Sequence, residues 1–165
     1  MSGKVFSFRN QNQIGKLGEQ FFAECYKPLN PKYFSGRKFD FLIDKWKIEL
    51  KTDFYDHDKT SNFFFEKVKN STKNTLGGPY KSLSHNVDYY VYLFIKNRIF
   101  YWIDVKKLCA RLDSLIENRL IDVDKQLKTI SNVNYESTGL VIDRNLVSRC
   151  VSKVEKFNLK FDLYE

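Results

Sequence analysis

The chain has 165 residues, which suits one domain, and 42% of them are hydrophobic and 16% aromatic, enough for a packed core. Lys and Arg outnumber Asp and Glu by 28 to 20, so the formal net charge of +8 favours an anionic partner, most commonly nucleic acid. Three widely spaced cysteines argue against a disulfide framework and against a Cys-x-x-Cys zinc site. No segment approaches the roughly 18 apolar residues of a membrane span, and we expect a soluble, cytoplasmic protein without membrane contact.

The first predicted elements are a helix and a hairpin. Apolar residues at helical spacing predict a helix over Gln13–Tyr26, which the segment KPLNP ends. The segments RKFDFLID and KWKIELKTD read as strands joined by a two-residue turn at Asp44-Lys45. The cross-strand pairs that this turn predicts are Ile43 with Trp46, Phe41 with Ile48, and Asp40 with Glu49.

A third strand, a loop and a second hairpin follow. SNFFFEKVK is a strand candidate, and the polar segment NSTKNTLGGPYKSLSHN is a predicted loop. VDYYVYLFI and RIFYWIDV predict a hairpin that is buried on both faces, so core packing explains its aromatic residues better than stacking on nucleic-acid bases. Asp104 is the predicted N-cap of a helix.

In the last third we expect a strand at Gly139–Ile142 and a short helix after Asp143. These elements predict an α/β (α+β) fold, with a central mixed β-sheet flanked by helices. All of residues 1–165 form one predicted domain, with a core over about residues 13–120 and a C-terminal extension over about 121–165.

The first hairpin brings three charged residues together. Side chains alternate along a strand, so Glu49 and Lys51 share one face, and the predicted turn places Asp40 opposite Glu49 on that face. Directly opposed Cβ atoms lie about 4.5–5.5 Å apart, too close for two carboxylates without a compensating cation, which a divalent metal ion or Lys51 would supply. Mg²⁺ on such oxygen ligands activates a bound water for phosphodiester hydrolysis. Lys51 would orient that water or stabilise developing negative charge.

Asp40 followed by Glu49-Leu50-Lys51 resembles the motif of the PD-(D/E)xK nuclease superfamily. The resemblance implies a restriction-endonuclease-like core and metal-dependent cleavage of DNA, less often of RNA. It implies Asp40 and Glu49 as ligands of Mg²⁺, which Mn²⁺ would replace, and Lys51 as the catalytic lysine. The chain departs from the motif at Phe39, where the superfamily's name has proline.

Glu19 in GKLGEQFF resembles the glutamate that many members carry on the helix before the hairpin. The glycine-bearing start of this helix is similar to that of archaeal Holliday-junction resolvases and Mrr-like restriction nucleases, and implies Glu19 as a third catalytic carboxylate and metal ligand. A helical wheel places Glu19 at the shoulder of the apolar face, so a solvent-facing glutamate is the alternative. The ordered segments SNFFFEKV, GGPYKS and VDYYVYLF resemble phage-type members, and the whole resemblance covers Gly15–Asp104.

The segment after Glu66 is basic and polar, as contacts with a phosphate backbone require. Glu66 itself would sit on a strand neighbouring the hairpin and hydrogen-bond to a ligand water or Lys51, or be solvated at a strand end. The candidate nucleic-acid contacts are Lys67, Lys69, Lys73, Lys81 and Ser82. We therefore expect a DNA endonuclease, with a non-catalytic nucleic-acid-binding module or an RNA-directed nuclease as alternatives. A homodimer would let one site per chain cut both strands.

Overall fold

A computed structural model describes residues 8–36, 38–70, 75–131 and 136–160 of the chain. The helices are α1 (Phe8–Cys25), α2 (Gly78–Ser84), α3 (Val105–Glu117) and α4 (Val123–Gln126), with 3₁₀-helices at Lys27–Leu29 and Arg144–Cys150. The strands are β1 (Lys32–Tyr33), β2 (Phe41–Ile43), β3 (Trp46–Asp53), β4 (Asn62–Asn70), β5 (Thr75–Leu76), β6 (Tyr89–Phe94), β7 (Ile99–Asp104), β8 (Leu127–Ser131), β9 (Glu136–Asp143) and β10 (Val151–Lys156).

The larger sheet is mixed. Its six strands run in the order β1-β2-β3-β6-β7-β10, and β3 pairs in parallel with β6 while the other neighbours are antiparallel. The connection from β3 to β6 passes through β4, β5 and α2, since parallel strands cannot be joined by a tight turn. The predicted α+β class with a mixed sheet is confirmed.

The smaller sheet is antiparallel and has the strand order β5-β4-β9-β8. The predicted strand SNFFFEKVK is therefore present as β4, but its partners are β5 and β9. The neighbour of β3 is β6. The expectation that Glu66 lies on a strand neighbouring the hairpin is wrong, because the chain leaves the larger sheet after β3.

The two faces of the larger sheet pack into two separate cores. On one face, side chains of β3, β6 and β7 pack against Phe21 and Phe22 of α1. On the other face, Tyr90 and Tyr92 of β6 pack against the smaller sheet and against α3. Buried on both faces, β6 carries Tyr90, Val91, Tyr92, Leu93 and Phe94 at 0–2% exposure, as the aromatic segment predicts.

Helix α1 approaches β3 very closely at one glycine. Gly18 is buried, and a Cβ atom there would lie 2.8 Å from both Cβ and Cγ2 of Thr52 and still nearer to its Oγ1. Gly15, one turn earlier, has no atom within 4 Å of such a Cβ. The missing side chain at Gly18 thus sets the position of α1, and of Glu19 next to it, against β3.

Most predicted elements are found, with shifted ends. The first helix begins at Phe8 rather than Gln13, the second hairpin is β6–β7, and Asp104 caps α3 by accepting from the Lys107 N–H at 2.9 Å. The prediction of a loop over NSTKNTLGGPYKSLSHN is wrong where Thr75–Leu76 form β5 and Gly78–Ser84 form α2, while residues 71–74 lie outside the described residues. Pro79 near the first position of α2 has the fixed φ that helix starts favour.

In the last third, the predicted strand lies within β9 and the helix after Asp143 is a 3₁₀-helix. The strands β8 and β10 were not predicted. Within the ranges that the structure describes, no helix has the length and apolar character needed to cross a membrane.

Candidate active site

The β2–β3 hairpin has the predicted turn but a different register at its open end. Ile43 pairs with Trp46 and Phe41 with Ile48, as predicted, and Asp44 adopts the positive φ of 51° that the tight turn requires. The ladder ends at the pair Phe41–Ile48. The Asp40 N–H donates to the Ile48 carbonyl at 2.9 Å, so Asp40 is not the ladder partner of Glu49, and the predicted direct pairing is wrong.

A side-chain hydrogen bond, rather than strand pairing, places the Asp40 carboxylate next to β3. Its Oδ2 accepts from the Leu50 N–H at 2.8 Å. Leu50 lies between Glu49 and Lys51, so the Asp40 carboxylate is fixed at the edge of β3 beside both residues. Carboxylate hydrogen bonds to backbone N–H groups are short and strong, which makes this placement firm.

Glu49 and Lys51 project from β3 on the face that carries the tyrosines of β6. In the parallel ladder, Glu49 is paired with Tyr90 and Lys51 with Tyr92. Paired residues on adjacent strands point the same way, so the two charged side chains lie over nearly fully buried phenols at 2% and 0% exposure. On this face of the sheet, the charged side chains of β3 therefore lie beside the buried aromatic side chains of β6.

Four carboxylates act on the phenol of Tyr90, and we call them the carboxylate cluster. Burial raises the pKa of Tyr90 well above its usual value, and negative charge raises it further. The contributing side chains are, in decreasing order, Glu66, Glu49, Asp40 and Asp53. The cluster joins the two sheets, because Glu66 belongs to β4.

Glu66 is seated against the turn before α2. A Cβ atom at Gly77 would lie 3.0 Å from Cγ of Glu66, and one at Gly78 would lie 3.1 Å from the Glu66 backbone nitrogen. Gly78 also has a positive φ of 53°. The two glycines let the chain pass directly over Glu66, a residue of the smaller sheet.

Asp53 has a structural role within the cluster. The Tyr92 hydroxyl donates to its Oδ2, and its Oδ1 accepts from the Tyr55 N–H at 2.8 Å. The Phe64 N–H in turn donates to the Tyr92 oxygen at 3.1 Å, so this chain of hydrogen bonds ties β3 to β4. The bond from the Tyr55 N–H, two residues along the chain, is the side-chain contact typical of a turn at the end of a strand.

Lys51 forms no ion pair within 4.0 Å in the part of the chain that the structure describes. In the described part of the chain, the ion pairs within 4.0 Å are His57–Asp58, Lys125–Asp122 and Lys153–Glu155. The Lys51 amino group lies 6.0 Å from the centre of the Phe64 ring. The Lys51 ammonium group thus lies over the Phe64 ring of β4, on the face of β3 that carries Glu49.

Glu19 reaches the site from the other face of β3. It projects half-buried from α1, and the Tyr33 hydroxyl lies near both Glu19 and Asp40. The pKa of Tyr33 is raised first by burial, then by the Glu19 carboxylate, and less by Asp40. Tyr33 therefore connects Glu19 to the hairpin edge.

Among the described residues, no group of three or more His, Cys, Asp and Glu side chains is arranged to hold a metal ion. Glu19, Asp40 and Glu49 are not brought together as such a group, since α1 packs on the face opposite Glu49, and their role as metal ligands stays a prediction. The two carboxylates of Asp40 and Glu49 match in number and chemistry what Mg²⁺ uses, which is typically one or two carboxylates and several retained waters. They do not fit a cation that needs a full protein cage.

The predicted nucleic-acid contacts are only partly accessible. Lys67 is exposed, with its amino group 5.9 Å from the centre of the Tyr80 ring, and Lys81 is half-buried on α2. Ser82 is 1% exposed with a buried Oγ, so its predicted contact with a phosphate backbone is wrong. The Lys69 side chain and Lys73 lie outside the described residues.

Sequence reasoning missed Tyr90 as a member of the site. A signal was present, since a tyrosine in a buried strand has a hydroxyl that needs a polar environment.

No family model, no curated protein and no solved structure matches this chain. Support for a function therefore comes from the geometry of the site.

Proposed function

We propose that this protein is a Mg²⁺-dependent endonuclease that hydrolyses phosphodiester bonds in DNA. The observation that carries this proposal is the 2.8 Å hydrogen bond from the Leu50 N–H to Asp40, which fixes Asp40 beside Glu49 and Lys51. Asp40 and Glu49 would hold Mg²⁺, and Mn²⁺ would replace it. The bound metal would lower the pKa of a water ligand and neutralise charge on the phosphate.

The protein's own groups prepare the site for a phosphodiester. Leu50 orients the Asp40 carboxylate through a rigid strand backbone, so the ligand oxygen atoms are preorganised before the substrate arrives. Lys51 supplies the positive charge that a phosphoryl transition state needs on its oxygens. The buried tyrosines beneath Glu49 and Lys51 keep water away from one side of the site, which strengthens both interactions.

DNA is the proposed substrate because of the overall charge and the superfamily resemblance. The net charge of +8 attracts a polyanion, and the exposed Lys67 follows directly after the cluster residue Glu66. RNA would meet the same metal and lysine, so substrate choice needs its own test. Cutting both strands of a duplex would call for a homodimer.

The test is cleavage of plasmid DNA by purified protein in Mg²⁺ or Mn²⁺. We expect nicked or linear products from the wild type, and a loss of activity of at least about 100-fold in Glu49→Gln and Lys51→Met, since the groups that bind metal and stabilise the phosphate are removed. Glu155→Gln and Lys153→Met are matched controls. These two residues pair with each other at 2.9 Å on β10, the strand at the far edge of the larger sheet, and activity should be retained.

Substrate panels separate the alternatives. Matched duplex, single-stranded and branched DNA, and RNA of the same sequence, would be digested side by side with both metals. Absence of cleavage on every substrate, with tight DNA binding, would indicate the non-catalytic binding module. Cleavage of RNA alone would reassign the substrate while keeping the site.

A further inference from the structure

A cavity with a basic lining lies between α3 and the 3₁₀-helix Arg144–Cys150. Its volume is about 520 Å³, within the range of about 300–1,000 Å³ that is typical of small-molecule sites. Its lining residues are Arg111, Asn145, Leu146, Ser148, Arg149 and Cys150. None of these residues is acidic, while the guanidinium, amide and hydroxyl groups among them all donate hydrogen bonds. The lining therefore suits an anionic ligand.

The fold orients the Arg111 guanidinium at this cavity. Arg111 is half-buried on α3, and its Nε donates to the Leu146 carbonyl at 2.9 Å. A guanidinium has five N–H donors, so the bond through Nε leaves the four donors of its terminal nitrogens. Such donors bind the oxygens of a phosphate group in pairs. Arg111 is thus oriented before a ligand arrives.

The two arginines of the cavity are not neutralised by a carboxylate in direct contact. The ion pairs within 4.0 Å in the described part of the chain involve neither Arg111 nor Arg149. Burial raises the pKa of the Cys150 thiol, and the Arg111 charge is the largest effect in the opposite direction. The charge of Arg111 thus acts on the interior of the cavity. Two positive charges on one cavity repel each other, and an anion bound between them would offset this repulsion.

The cavity is separate from the candidate active site. In the larger sheet, Glu49 pairs with Tyr90, and Tyr90 pairs with Ile103. Ile103 pairs with Val151, which directly follows Cys150. Adjacent strands lie about 4.7–4.9 Å apart, so about 14 Å of sheet separates Glu49 from the residue next to the cavity. A ligand of the cavity would therefore not occupy the proposed metal site.

We propose that this cavity binds a phosphate group, with Arg111 and Arg149 as the residues that contact it. Ser148 and Asn145 are exposed at the cavity and can each donate a further hydrogen bond. A phosphate ion is much smaller than the cavity, so the group would belong to a larger molecule. A phosphorylated small molecule, such as a mononucleotide, and a nucleic-acid backbone carry the same chemistry. The inference does not depend on the proposed nuclease activity, since it involves neither the metal nor β3.

The test is isothermal titration calorimetry without divalent metal ions, so that no cleavage takes place. The two titrants are dAMP, as a free mononucleotide, and a short DNA duplex with unphosphorylated ends. Arg149→Gln removes one charge, and Arg111→Lys keeps the charge but loses the paired donors. We expect each variant to bind at least one titrant about 10-fold more weakly than the wild type, the scale of a lost charge-assisted hydrogen bond.

Arg119→Gln is the matched control. It removes the same charge from an exposed arginine that follows α3 and is not among the lining residues, so both titrants should bind as they do to the wild type. Arg149 is also exposed, and Arg149→Gln should keep the melting temperature of the wild type. This variant therefore decides the question even if Arg111→Lys, which changes the group bonded to the Leu146 carbonyl, fails to fold.

The two titrants distinguish the sources of the phosphate group. Weaker binding of dAMP in the cavity variants, with unchanged binding in Arg119→Gln, supports a site for a phosphorylated small molecule. Weaker binding of the duplex, with the slope of log K against log salt reduced by about one in Arg149→Gln, supports a contact with a backbone phosphate.

Three results would overturn the inference. These are no binding of either titrant by the wild type, wild-type affinities for both titrants in Arg149→Gln, and an equal loss of affinity in Arg119→Gln, which would show an effect of overall charge. None of them bears on the proposed metal site, which the cleavage assays test separately.

Discussion

Replacing Gly18 by alanine should destabilise the protein, whereas the same change at Gly15 should stabilise it. Both glycines lie inside α1, so each substitution gains about 1 kcal/mol of helix propensity. At Gly18 the new Cβ would meet Thr52 atoms at 2.8 Å and closer, and such overpacking costs about 1–3 kcal/mol. At Gly15 it would meet nothing within 4 Å. The propensity gain cancels between the two variants, which leaves the overpacking cost as their difference.

The assay is thermal unfolding of both variants by circular dichroism. One kcal/mol corresponds to about 2–4 °C for a domain of this size, so Gly15→Ala should melt about 2–12 °C above Gly18→Ala. Adding Thr52→Ala removes Oγ1 and Cγ2 and should recover part of the loss in Gly18→Ala. Equal melting temperatures for the two glycine variants would refute the close approach of α1 to β3, and with it the position of Glu19.

Three further predictions concern the scaffold and the thiols. Asp104→Ala removes the N-cap of α3 and should lower the free energy of unfolding, measured in urea, by about 0.5–2 kcal/mol. As a control, its cleavage activity should be unchanged. Asp88→Ala leaves the N–H at the start of β3 without the Asp88 Oδ2 acceptor at 2.8 Å, and should cost about 1–3 kcal/mol in the same assay. Burial raises the pKa of the Cys25 and Cys109 thiols to about 12, so their contribution to stability is complete below the unfolded-state pKa near 9.0 and falls as the pH rises above it. The urea midpoint should therefore drop as the pH rises from about 9 towards 12, and iodoacetamide should label these thiols only on unfolding. Rapid labelling of the native protein would contradict this.

Local patterns predicted the elements that depend on neighbouring residues. The apolar spacing of α1, the two tight hairpins and the Asp104 cap each involve side chains close in sequence, and each is present. The assignment of β4 to a second sheet was not predictable, because alternation along a strand does not identify its partner. The segment GGPYKS was misassigned for a related reason, since Gly and Pro mark helix starts as well as loops.

The placement of Asp40 beside Glu49 and Lys51 was predicted, but the contact that produces it was not. The two-residue period of β3 placed Glu49 and Lys51 together, but Asp40 joins them through the Leu50 N–H and not through the ladder. The irregular end of the hairpin depends on the residues that precede β2. Counting pairs outward from the two-residue turn takes no account of them. Glu66 meets the cluster from another sheet, so only the tertiary structure shows its place beside Tyr90.

The most direct test of the proposed site is a crystal structure grown with Mn²⁺, whose anomalous scattering locates the ion. We predict one Mn²⁺ bound by oxygens of both Asp40 and Glu49 at about 2.0–2.6 Å, with water completing its coordination. An ion held elsewhere on the protein, or no ion at this edge of β3 at millimolar Mn²⁺, would contradict the metal site and the nuclease activity proposed for it.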